Sequence, residues 1–132
     1  MHPIISDAGL PLEHTLCPIL LMPWIAPLLD ELAACRTWTY HVDGPNSTEP
    51  AALAALALIA HDRADEAIAA LDWMATIQGT DGSLGVTAEQ ATPTWATSLA
   101  VVAWSHYART QQRDRAKAYR PAIDAASAYL LT

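Results

Sequence analysis

The sequence contains no phenylalanine, 5 glycines, 2 cysteines and only 7 Lys and Arg among 132 residues. Each shortage excludes something. Scarce glycine and missing phenylalanine, beside 27 alanines, argue against strands. They favour closely packed helices, because alanine is the best helix former and lets helix axes approach. Cys17 and Cys35 are too few for a disulfide scaffold. Up to residue 108 there are 12 acids and two bases, Arg36 and Arg63. Such a chain repels phosphate along most of its length, which excludes nucleic acid as a partner. No base precedes Arg36, so the positive start of a secretory signal is missing. The longest early apolar run, 19–29, is broken by Pro23 and Pro27. It falls well short of the roughly 20 residues a membrane span needs. A reducing, cytoplasmic setting without a membrane span is expected.

What is present suffices for a core: 52% of residues are hydrophobic and 16% charged. Five of nine prolines lie in the first 27 residues, so 1–27 reads as an irregular N-terminal segment and 28–132 as the structured part. A helix over 18–35 is expected to be kinked early and regular only from about Leu28. A loop over 36–49 follows, with Asp43-Gly44-Pro45-Asn46 as its turn chemistry. Residues 51–60 carry no polar side chain, the mark of an inner helix surrounded by protein. Asp62 is the expected cap of a helix over 63–78. There Ala67, Leu71, Met74 and Gln78 make one stripe, and Asp65, Ala69, Asp72 and Thr76 the opposite one. That helix should be wet on one side. Thr92-Pro93 predicts the opening of another inner helix, over 93–109, with the stripe Trp95, Leu99, Val102 and His106. A basic connector with Arg109, Arg113, Arg115, Lys117 and Arg120 leads to a last helix opened by Pro121. Overlaying Pro50 on Pro93 gives a repeat of 43 residues, and Trp73 on Tyr129 gives 56. Periods near this length signal stacked helical hairpins.

One segment, Trp73-Met74-Ala-Thr-Ile-Gln78-Gly-Thr-Asp-Gly82-Ser-Leu84, resembles the QW repeat of squalene–hopene and other terpenoid cyclases. Trp73, Gln78 and Gly82 match that motif. Leu84 stands where it has Trp, and the basic residue expected before Trp73 is missing. The resemblance extends over about residues 28–132. It implies an all-α architecture, the α/α toroid shared with protein prenyltransferase subunits, of which this chain would supply about two and a half hairpins. Gln78 is expected to donate to carbonyls at its helix end and tie hairpin to hairpin, with Trp73 stacked on it. Restoring Trp at position 84 is expected to be neutral or mildly stabilising.

The resemblance implies an apolar, isoprenoid-type ligand in a cavity ringed by inner helices. Trp38, Tyr40, Trp95 and Trp104 are the candidates for lining it, since aromatic faces stabilise cations; the alternative for each is packing. The family acid Asp-x-Asp-Asp is absent from the sequence. Asp43 is the remaining catalytic candidate, and a turn role competes with it. No cofactor is expected. His14, Cys17, Cys35 and His41 are residue types that bind zinc, against the simpler reading of buried cysteine as packing. The expectation is a partial toroid, without turnover on its own, that self-associates or is completed by further repeats. The alternatives are a helical-repeat interaction module and a small zinc-stabilised domain.

Overall fold

The computed structural model describes residues 22–132. The chain divides into two compact units, Met1–Leu32 and Ala33–Thr132. In the described residues every regular element is a helix, and the extended pairing is confined to one bridge between Ser47 and Thr87. No helix among them is long and apolar enough to cross a membrane. Helix α1 (Ile25–Ala34) carries the chain from the first unit into the second. It is regular from Ile25 rather than Leu28, because Pro27 falls in its first turn, where a missing N–H costs nothing. Positions 18–21 of the expected helix lie outside the described residues.

The second unit holds α2 (Thr48–Ala60), α3 (Ala64–Ile77), α4 (Ala96–Thr110), the short α5 (Arg113–Ala116) and α6 (Arg120–Leu130). Helices α2 and α3 form a hairpin, and α4 packs beside α2. Burial on α3 follows its two expected stripes. Ala67, Leu71 and Met74 are buried, Gln78 is half-buried, and Asp65, Asp72 and Thr76 are exposed.

Helices α2 and α4 run in the same direction, because both N-termini are fastened to one loop. The buried Thr48 hydroxyl donates to the Gly85 carbonyl at 2.7 Å, and the Thr97 hydroxyl donates to the Leu84 carbonyl at 3.2 Å. Their buried faces correspond pair by pair: Ala51 and Ala96, Ala52 and Thr97, Ala55 and Ala100, Leu58 and Ala103, Ile59 and Trp104. Each pair is separated by 45 positions, so the packing repeat differs from the 43 of the proline overlay.

Beyond α4 the chain climbs alongside α3, in the same direction. Arg115 pairs with Asp65 at 2.7 Å, the Tyr119 hydroxyl donates to Asp72 at 2.6 Å, Gln78 donates to the Ala122 carbonyl, and Gly82 lies against Ala125. The overlay of Trp73 on Tyr129 therefore does not describe this packing; Tyr119 is the ring at that level of α3. The connector is structured, with two of its bases committed to α5.

Two expected caps differ. Asp62 has φ of +61° and does not cap α3, whose N-cap is Arg63 without a side-chain hydrogen bond. Helix α4 opens at Ala96, not at Pro93. Its N-cap is Trp95, without a side-chain cap, and the Thr94 hydroxyl one residue earlier accepts from the Ala96 N–H at 3.2 Å.

Candidate functional site

The strongest local feature is the loop after α3. Gln78 ends that helix, and its amide donates to the Gly82 carbonyl at 2.9 Å and the Ala122 carbonyl at 3.0 Å. It thus joins the loop to the start of α6, and spans two hairpins as its position suggested. Trp73 has an aromatic partner, Trp38, at 6.1 Å between centroids and 39° between planes. Gly82 has φ of +92°, and a Cβ there would lie 2.1 Å from the Ala125 carbonyl oxygen. Both facts require glycine. Ser83 donates to Asp81 through backbone and hydroxyl, holding that exposed carboxyl below the usual carboxylate range. Leu84 is 0% exposed, so the pocket that would take a Trp is already filled.

The four aromatic candidates separate into two kinds. Trp104 is 0% exposed, with its indole N–H on the Leu71 carbonyl at 3.1 Å and its ring stacked on Tyr119. Trp38 is buried against Trp73 and donates its backbone N–H to Asn46. Both rings hold elements together. Trp95 is 57% exposed, at the start of α4. Tyr40 is exposed and donates to Glu49 at 2.6 Å; desolvation and that carboxylate push its hydroxyl up to about 12.

Trp95 belongs to a face that burial reveals. On α4 the stripe Trp95, Leu99, Val102 and His106 has the expected helical spacing, yet it is the outward one: Val102 is 42% exposed and Leu99 half-buried. The opposite face, built from Ala96, Thr97, Ala100, Ala103, Trp104 and Tyr107, is the buried one. On α2 the same holds. Leu53 is 52% exposed, Leu56 and Ala57 are half-buried, and Ala60 is exposed. A helix expected to be enclosed on every side thus leaves an apolar stripe uncovered by the described residues. Each of two adjacent helices of one direction carries an uncovered apolar stripe, and the two stripes together are termed the α2–α4 wall.

Asp43 is exposed in a turn closed by the Gly44 N–H on the His41 carbonyl, and its φ is +61°. Cys35 is a free, half-buried thiol, and His41 is exposed with its ring against the Val42 carbonyl. His14 and Cys17 lie outside the described residues, among which no group of three His, Cys, Asp or Glu could hold a metal. A depression of about 310 Å³ opens where the start of α3 meets the end of α4. Asp62, Arg63, Asp65, Glu66, Thr110 and Gln111 give it a polar lining. Two of those carboxylates are already neutralised, Glu66 by Arg63 and Asp65 by Arg115. Sequence reasoning did not single out this depression. Away from it, beside α3, the Tyr119 hydroxyl is raised well above its ordinary value by burial and by Asp72. Comparison with family models, with curated proteins and with solved structures found no match.

Proposed function

We propose that the α2–α4 wall is an apolar binding surface for a long, isoprenoid-type hydrocarbon, in a partial α/α toroid of the terpenoid cyclase kind. The observation that carries this is the exposure of Leu53, Trp95 and Val102 on two codirectional helices, whose other faces are buried. Apolar side chains left in water at helical spacing mark a surface meant to be covered. Gln78 and Gly82 support the same reading, since they join successive hairpins as the QW motif would. No turnover is expected. Proton-initiated cyclisation needs a preorganised acid in a site closed to water, and the sequence has no Asp-x-Asp-Asp.

The test is to titrate the protein with squalene while following tryptophan fluorescence, then extract for mass spectrometry. Quenching that Trp95→Ala reduces severalfold, with squalene recovered unchanged, is the expected result. A cyclised product would overturn the claim of inactivity. Absence of quenching would favour the second reading, a helical-repeat module that uses the same uncovered wall to associate with another protein or with itself.

A further inference from the structure

The wall has a polarity along its length. Its N-terminal end carries Glu49, which shares the stripe of Leu53, Leu56 and Ala60 and is held by the Tyr40 hydroxyl. The stripes are otherwise apolar: Leu53 and Leu56 on α2, and on α4 Trp95, level with Pro50 at the N-terminal end, then Leu99 and Val102. From Val102 the α4 stripe continues at helical spacing to His106 and Arg109, both exposed. Arg109 is the one Lys or Arg on either helix. Among the described residues it has no ion-pair partner, in contrast to Arg63 and Arg115. Because α2 and α4 point the same way, the acidic and basic ends do not cancel. At about 1.5 Å per residue, about 10 Å of apolar stripe separates Trp95 from Val102, and roughly another 10 Å reaches Arg109.

We propose that this wall takes an amphiphile with an anionic head, a long-chain carboxylate or phosphate monoester. The head lies at Arg109 and His106, and the tail runs toward Trp95. This rests on the apolar-wall reading and adds an orientation to it. The guanidinium forms two parallel hydrogen bonds to either oxyanion, and His106 adds a ring N–H donor. The reversed orientation would set the head against Glu49 and is disfavoured by like charge. Of the carboxylates in the depression beside Thr110, Asp65 and Glu66 are paired with Arg115 and Arg63 and oppose the head weakly, so Asp62 is the main opposing charge.

Three ligands of equal chain length separate the contributions: 1-dodecanol, dodecanoate and dodecyl phosphate, each below its micelle concentration, followed by tryptophan fluorescence. At low salt the two anions are expected to bind about 3- to 5-fold more tightly than the alcohol, the size of an exposed charge pair. Arg109→Gln should bring the three affinities together by weakening the anions most and the alcohol least, and added salt should likewise remove the anions' advantage. A preference for one anion over the other identifies the head chemistry. Equal binding of all three by the unaltered protein overturns the orientation but leaves the apolar wall standing. An anion preference that survives Arg109→Gln overturns the assignment to this residue. Failure of dodecanol itself to bind overturns the wall, and the proposal with it.

Discussion

Gln78 and Gly82 do at atomic scale what the molecule needs between its hairpins. One amide nitrogen serves two carbonyls, on Gly82 and on Ala122, and removing it breaks both of these part-buried bonds. Gln78→Ala is therefore expected to cost about 1–3 kcal/mol in chemical denaturation. Gly82→Ala should cost more, roughly 2–5 kcal/mol. It combines a left-handed backbone with a collision against the Ala125 carbonyl, and neither can relax without moving α6. The order matters: a Gly82→Ala milder than Gln78→Ala would show that α6 is free to move away. Gln78 and Gly82 stood out in the sequence because Gln and Gly are rare in this alanine-rich chain. The partner of Trp73 was not legible. Trp38 reaches it across a turn whose geometry depends on the Trp38 N–H meeting Asn46.

Helices show more sharply where periodicity speaks and where it is silent. The two stripes of α3 could be read from the sequence because charged and apolar residues alternate at 3.6 spacing. On α4 the stripe Trp95, Leu99, Val102 and His106 was equally visible, but its side was not. Large apolar residues ordinarily mark the buried face, but here they stand on both: Trp104 and Tyr107 are buried among the small Ala96, Ala100 and Ala103, while Trp95 and Val102 face outward. Alanine fits both environments and so carries little directional signal. Caps were missed for a similar reason. Asp62 and Thr92 are good capping residues, yet it is the Thr94 hydroxyl that meets the backbone N–H opening α4. Packing also reverses one expectation. Leu84 is enclosed and its backbone is engaged at both ends, by the Thr97 hydroxyl and by Thr94. Leu84→Trp is thus expected to destabilise by about 1–3 kcal/mol through overpacking, seen as a lowered Tm by calorimetry. An unchanged Tm would mean that the loop can open to admit the larger ring.

At the scale of the whole molecule, an uncovered apolar wall in a chain of net charge −7 sets two tendencies against each other. Apolar contact favours association, and like charge disfavours it. The wall itself carries little charge, so dimers or larger species are expected by light scattering at tens of micromolar. Salt should strengthen them by screening the repulsion. A monomer unaffected by salt would indicate that the stripes are too narrow to hold a second copy. The 45-residue correspondence of α2 and α4 has a different consequence, concerning where such a protein can be cut and rejoined. The loop following the first hairpin supplies the acceptors for the hydroxyls that open both helices, Thr48 from 37 positions upstream and Thr97 from 13 downstream. A recombination point placed in that loop, where an engineer would ordinarily choose to join modules, would separate the two threonines from a shared anchor. A joint inside α2 and the matching turn of α4 would exchange one register for its equivalent, keep Leu84 and Gly85 together with Thr97, and leave only the Thr48 bond to be re-formed across it. The exchangeable unit of this fold is bounded by helices, not by its turns.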